Sequence, residues 1–107
     1  MKILVTGGDG DFCKHLVKYG KKNHSFLTPT KKQADVRDYW KLDSYFYEYQ
    51  NDFDSVIHAG AITRPMVAHE NNPSLSIQTN IIGTSNVVLM CERYNKKIIY
   101  IWHIMHF

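Results

Sequence analysis

The feature that most constrains this chain is its first sixteen residues, MKILVTGGDGDFCKHL. Ile3, Leu4 and Val5 form a short apolar run bounded by glycine, which reads as a buried strand. Thr6-Gly7-Gly8-Asp9-Gly10 reads as a tight turn. From Asp11 onward the spacing becomes helical, with Phe12, His15, Leu16 and Tyr19 recurring at three- and four-residue steps. A strand handed through glycines to a helix is an anion site. The first helical turn leaves its backbone N–H groups unpaired, and the helix dipole favours negative charge there. Gly7 and Gly10 hold the first two places of a G-x-x-G-x-x-G pattern, in which glycine lets a pyrophosphate approach the backbone. Cys13 stands at the third place, where a small residue allows close packing of helix on strand. Asp11 and Phe12 open the helix and join Gly7 and Gly10 as candidate dinucleotide-binding positions. Asp9 and Asp11 oppose a phosphate unless their carboxylates point away. The competing reading is an ordinary turn in some other α/β domain.

Composition limits the classes available. A chain of 107 residues holds one domain and one modest core. Its hydrophobic fraction of 44% and charged fraction of 21% are ordinary for a globular protein. The net charge is +3, and Lys14, Lys18, Lys21, Lys22, Lys31 and Lys32 follow one another with no acid between them. No nucleic-acid motif accompanies these lysines, so they read as a solvated helix face and a basic loop near a cofactor phosphate. Cys13 and Cys91 give neither a disulfide framework nor a metal pattern. No stretch has the length of a signal peptide core or a membrane span, so a cytoplasmic, reducing setting is expected, with no membrane or nucleic-acid partner.

Along the chain, a helix is expected from about Asp11 to Lys22, with Phe12, Leu16 and Val17, joined by Tyr19, on its apolar side and its lysines in solvent. A short strand follows over His24–Thr28, ended by Pro29. An acid at the end of that strand would hold the ribose hydroxyls of NAD. Here Thr28, Thr30, Lys31 and Lys32 stand instead, and hydroxyls with lysines suit a 2′-phosphate, which favours NADP over NAD. Ala34–Val36 reads as a very short third strand. Asp35 either caps the next helix or sets a carboxylate by an adenine, and Asp38 competes for the cap. The aromatic-rich helix from Arg37 to about Tyr49 packs on a sheet. Ser55–His58 reads as a buried strand, and Ala59-Gly60-Ala61 after it leaves room for a ligand to cross the sheet edge. His58 is read as a core or hydrogen-bonding residue in preference to a base, and Arg64 as a loop residue within reach of a substrate phosphate. A long helix runs from Pro73 or Ser74 to about Tyr94 and is apolar on more than one side. It holds Asn80 among apolar neighbours, and Gly83 allows a close backbone approach. Ile98–Ile101 closes the series as a strand. Strands alternating with helices imply right-handed crossovers and a parallel sheet.

Thr6-Gly7-Gly8-Asp9-Gly10, Asp35-Val36, Val56-Ile57-His58-Ala59-Gly60-Ala61 and Asn80-Ile81-Ile82-Gly83-Thr84-Ser85-Asn86-Val87 come in an order and at separations with a known counterpart. The chain resembles the N-terminal part of the extended short-chain dehydrogenase/reductase family, the nucleotide-sugar epimerases, dehydratases and reductases. Within that family it is most similar to reductases of the dTDP-4-dehydrorhamnose type. The resemblance implies a three-layer, Rossmann-like parallel sheet of about five strands, incomplete relative to the full family fold. Residues 1–101 would form a partial NAD(P)-binding domain and residues 102–107 an atypical tail. The resemblance places Gly7 and Gly10 by the pyrophosphate and Asp35 and Val36 by the adenine. It sets Ala59, Gly60 and Ala61 by the middle of the cofactor, with Asn80 supporting the nicotinamide end. It also implies a homodimer formed through the 74–94 helix.

Departures from the family pattern shape the functional expectation. The family's Tyr-x-x-x-Lys pair, which passes a proton and holds the ribose, does not occur in these 107 residues. From Trp102 to Phe107 the pattern stops, as in a shifted frame or an early stop. His103 and His106 do not amount to a metal site. The chain is therefore expected to bind NAD(P) as a fragment of a nucleotide-sugar reductase or epimerase without catalysing the reaction alone. A nucleotide-sugar substrate would belong only to a full-length relative. The alternatives are a non-catalytic dinucleotide-binding module and a partner-binding protein that uses the Tyr39–Tyr49 segment.

Overall fold

The computed structural model describes residues 1–6, 11–59 and 73–99. Four parallel strands, β1 (Lys2–Thr6), β2 (Ser25–Leu27), β3 (Ser55–His58) and β4 (Lys97–Ile99), form one sheet in the order β2-β1-β3-β4. Leu4 is paired with Leu27 on one side and with Val56 on the other, and Val56 is paired in turn with Ile98. Three helices connect and cover them: α1 (Asp11–Gly20), α2 (Tyr39–Tyr49) and α3 (Pro73–Arg93).

Period-two alternation in the strands sorts the core into two layers. Ile3, Val5, Ile57 and Ala59 meet Cys13, with Leu16 and Val17 of α1 packed around them. Leu4 and Val56 point the other way, into Leu42 and Phe46 of α2 and Val87 and Met90 of α3. Helices therefore lie on both faces of the sheet, and the chain has the α/β, Rossmann-like arrangement read from its sequence. Each fully buried leucine or phenylalanine side chain contributes about 2–3 kcal/mol of transfer free energy, which makes the α2–α3 layer the larger apolar store. Cys13 and Cys91 fall in opposite layers and so form no disulfide with each other.

The helix ends follow from local chemistry. Asp38, in extended conformation, accepts from the Lys41 N–H at 3.1 Å and starts α2, so the cap is Asp38 and not Asp35. At the end of α3, Asn95 adopts the left-handed conformation (φ 56°), and the Lys96 N–H returns to the Cys91 carbonyl at 2.8 Å. That is a Schellman turn with asparagine in the usual glycine place. Lys96 then donates through Nζ to the Phe53 carbonyl at 2.7 Å and to the Gln50 carbonyl, fastening the end of α2 to the start of β3. Tyr94 donates to the Asp43 carboxylate at 2.6 Å, joining α3 to α2.

Several bounds differ from the sequence reading: β2 is Ser25–Leu27 within the expected His24–Thr28, and α2 starts at Tyr39 and not at Arg37. α1 ends at Gly20 and not at Lys22: the Asn23 and His24 N–H groups both return to the Gly20 carbonyl, at 3.2 and 3.0 Å, and the chain turns into β2. Tyr19, expected on the apolar side of α1, is 78% exposed. Residues 34–36 form a turn and not a strand, which leaves four strands among the described residues. The cause lies in their partners: the Arg37 N–H and guanidinium bind the Asp35 carboxylate, and the Val36 carbonyl accepts from Asn86, so this backbone turns instead of extending along β2.

Candidate functional site at the carboxyl edge of the sheet

All four strands run the same way, so their carboxyl ends form one edge. β1 reaches that edge at Thr6, and α1 begins at Asp11, five residues on. The first turn of α1 therefore opens where β1 finishes, which is the geometry an anion needs. Asp11 and Phe12 belong to that turn. Gly7, Gly10, Gly60, Ala61 and Arg64 lie outside the described residues, as do His103 and His106. Cys13, at the third glycine place, is 1% exposed and packs with Val5, Ile57 and Ala59. A side chain of this size fits between α1 and the strands, and the helix keeps its seat on the sheet. Ala59 is also buried, and its N–H donates to the Thr6 carbonyl at 3.1 Å. The edges of β1 and β3 are thereby held level beside the start of α1.

A polar bridge crosses the larger core at the same level. The His58 Nδ1 lies 2.6 Å from the Thr6 hydroxyl, and its Nε2 lies 3.1 Å from the Thr84 hydroxyl on α3. Both ring nitrogens thus meet hydroxyls, which serve as donor or acceptor as the tautomer requires. His58 is 5% exposed, and burial pushes its pKa down from 6.5 to about 4. It is a neutral structural link at neutral pH, in agreement with the core role read from the sequence. Neither Thr6 nor Thr84 was singled out from the sequence as a partner; the signal was a polar residue two places along each of two otherwise apolar faces.

The loop after β2 carries most of the remaining candidates. Thr30 and Gln33 pair reciprocally: the Thr30 N–H donates to the Gln33 side-chain oxygen at 2.8 Å, and the Gln33 N–H to the Thr30 hydroxyl at 3.3 Å. This is a capping box around a single turn, with Lys31 and Lys32 exposed on it. Asp35 is engaged bidentately by Arg37, Nε at 3.1 Å and Nη2 at 2.8 Å, and that guanidinium holds its carboxyl below the usual value. Val36 is held from behind by α3. A Cβ on Gly83 would stand 2.8 Å from Val36 Cγ2, and the Asn86 amide donates to the Val36 carbonyl at 2.8 Å. Gly83 thus makes the close approach expected of it. Asn86 had not been singled out, although it lies in the same stretch as Asn80.

Two hollows adjoin this edge. One, about 300 Å³, lies between α1 and the end of β2 and is lined by Cys13, Lys14, Val17, Lys18, Lys21 and Thr28. Lys14 and Lys18 on one stripe of α1, with Lys21 just past its end, make it basic. The other, about 670 Å³ and apolar, follows α3 along Asn80, Ile81, Thr84, Ser85, Val88 and Leu89. α3 returns antiparallel to the strands, so Asn80, one turn before the His58-bonded Thr84, projects about 6 Å further toward the carboxyl edge. Among the described residues no three His, Cys, Asp or Glu side chains gather as a metal site, and no helix is long and apolar enough to cross a membrane.

The model of the RmlD substrate binding domain matches residues 1–102. GDP-L-colitose synthase of Yersinia pseudotuberculosis is 34% identical over 96 residues, which cover 89% of this chain and 30% of that protein. A solved dTDP-4-dehydrorhamnose reductase from Clostridium acetobutylicum shares the fold with a TM-score of 0.75 at 23% identity, over 92% of this chain and 34% of its own. A GDP-L-fucose synthetase from Naegleria fowleri, solved bound to NADP, matches with a TM-score of 0.68 at 27% identity, over 92% of this chain and 32% of its own. The chain thus spans about a third of the length of the relatives it matches. These relatives are sugar-nucleotide reductases and synthases, and the chain belongs to the RmlD substrate binding domain family.

Proposed function

We propose that this chain binds a nicotinamide dinucleotide, NADP in preference to NAD, as the cofactor-binding part of a nucleotide-sugar reductase or dehydratase. The observation that carries the reading is the start of α1 at the carboxyl end of β1, flanked by lysines and levelled with β3 by the Ala59–Thr6 bond. These residues fit a dinucleotide. The helix start suits a pyrophosphate, the small buried Ala59 lets a flat ligand cross the edge, and the basic surface by β2 suits a phosphorylated ribose. When bound, the cofactor supplies hydride. The chain's own residues then bind and orient it, with Gly7, Gly10, Asp11 and Phe12 at the diphosphate. Thr30 and Lys31 flank the adenosine ribose, Asp35 and Val36 the adenine, Ala59, Gly60 and Ala61 the middle, and Asn80 the nicotinamide side.

Catalysis by these residues alone is not part of the proposal. No Tyr-x-x-x-Lys pair occurs within the 107 residues, so they offer no such proton donor to a sugar carbonyl. Recognition of the nucleotide sugar is assigned to the remainder found in longer relatives. The exposed Ile81, Ile82 and Leu89 of α3 support pairing of two copies through that helix. A cytoplasmic setting suits two cysteines that do not bridge each other.

Calorimetric titration of the purified chain with NADPH and NADH tests the reading. Binding in the micromolar to millimolar range is expected, tighter for NADPH, because these residues supply only part of a cofactor cleft. Absence of heat for both cofactors at millimolar concentration would overturn the reading. Submicromolar binding would overturn the claim that the cleft is partial.

A further inference from the structure

We infer that the 2′-phosphate of NADP is read by the lysines of α1, Lys14 and Lys18 with Thr28 opposite, and not by the Lys31–Lys32 pair after β2. The inference rests on the cofactor reading above and goes beyond it by naming the groups that decide between NADP and NAD.

Three observations lead there. Lys14 and Lys18 stand at i and i+4 on α1 and so share one face of the helix, and Lys21 follows just past its end. Their side chains and Thr28 border the same hollow of about 300 Å³, with Cys13 and Val17 as its floor. Thr28 is the first residue beyond β2, so the upper end of that hollow lies at the edge where an adenosine ribose is held in such folds. By contrast, the groups after β2 are turned to local use. The Thr30 N–H and hydroxyl are both bonded to the Gln33 side chain, and Lys31 and Lys32 are exposed on the turn that this pair closes. Neither of these two lysines borders the hollow. Lys14 and Lys18 are exposed as well, but they border a hollow in which a phosphate meets two ammonium groups one helical turn apart over Cys13 and Val17. Asp35, the carboxylate of that loop, is neutralised by Arg37 and so opposes the phosphate weakly.

The test compares two probes that differ only at the 2′ position, adenosine 2′,5′-bisphosphate and 5′-AMP. Binding to the full chain is read by amide shifts in two-dimensional NMR at low salt. The wild-type chain should bind the bisphosphate more tightly. In the Lys14→Ala/Lys18→Ala variant that preference should fall by about tenfold, with 5′-AMP affinity changed less than about twofold. The wild-type preference should also shrink as salt rises. The Lys31→Ala/Lys32→Ala variant, which touches the ribose position of Lys31, should weaken both probes alike and keep most of that preference. If instead the Lys31/Lys32 variant loses the preference and the Lys14/Lys18 variant keeps it, this inference is wrong and the cofactor reading stands. If the wild-type chain binds neither probe, the cofactor reading itself fails and takes this assignment with it. All four substitutions are on exposed residues, and unchanged circular dichroism confirms that the variants fold.

Discussion

Lowering the pH acts on one buried group whose contribution can be isolated. His58 is 5% exposed between Thr6 and Thr84, and burial holds its pKa near 4, against 6.5 for the free side chain. Hydroxyl partners do not oppose the charged form, since both can accept; the loss of water does. The folded pKa lies below the unfolded one. The folded state therefore refuses a proton that the unfolded chain takes up once the pH drops below about 6.5. Stability is fully present above that pH and is lost progressively as the pH falls toward about 4. At pH 5, about 1.5 units below the ordinary value and at about 1.4 kcal/mol per unit, the loss is about 2 kcal/mol. The assay is urea unfolding at pH 7 and pH 5 of the wild type and of His58→Gln. With an m-value of about 1–2 kcal/mol/M, the wild-type midpoint should fall by about 1–2 M from this group alone. The other five histidines are common to both proteins, so the variant should lack this component of the pH dependence. Parallel losses in the two proteins, or an NMR titration placing the His58 pKa at 6.5 or above, would refute the reasoning.

Three further outcomes follow from the way α3 holds the loop after β2 and presents its outer face. Gly83→Ala adds about 1 kcal/mol of helix propensity but sets a methyl 2.8 Å from a β-branched side chain, at a cost of about 1–3 kcal/mol; thermal unfolding should show a net loss, and a stabilised variant would contradict the close approach. Asn86→Ala removes the bond to the Val36 carbonyl, so stability should drop by about 1–2 kcal/mol and the amides of residues 34–37 should exchange faster with deuterium; unchanged exchange there would count against the tether. Ile81 is 61% exposed, and Ile81→Lys with Leu89→Lys should turn a dimer into a monomer in sedimentation; a wild-type chain that is already monomeric would end the pairing proposal.

The parts of the fold that sequence made legible are those governed by local period. Ile3–Val5, Ser55–His58 and the long helix carry their patterns plainly, and the structure places each as expected. Less legible was whatever depended on partners distant in the chain. Ala34-Asp35-Val36 has a strand's composition, yet Arg37 and Asn86 bend it into a turn, and neither bond shows in the triplet itself. Asp38 competes with Asp35 for the cap in the sequence, and the structure gives it to Asp38 while the Arg37 guanidinium engages Asp35. In the candidate site, the lysines of α1 were read as a solvated face because helical period says which residues share a side and not what stands opposite. Thr28 stands opposite, and only the packing of α1 beside the end of β2 shows it. The His58 bridge was half visible: a histidine on a buried strand asks for partners, while the identity of Thr6 and Thr84 required the sheet register and the course of α3.

The central claim is that a dinucleotide rests where β1 gives way to α1. Amide shifts followed during NADPH titration of the full chain locate the ligand directly. The account predicts that the largest changes fall on Val5, Thr6, Lys14, Thr28, Val36 and Ala59, along the carboxyl edge of the sheet. Saturable changes confined to the outer faces of α2 and α3, with that edge unmoved, would contradict it.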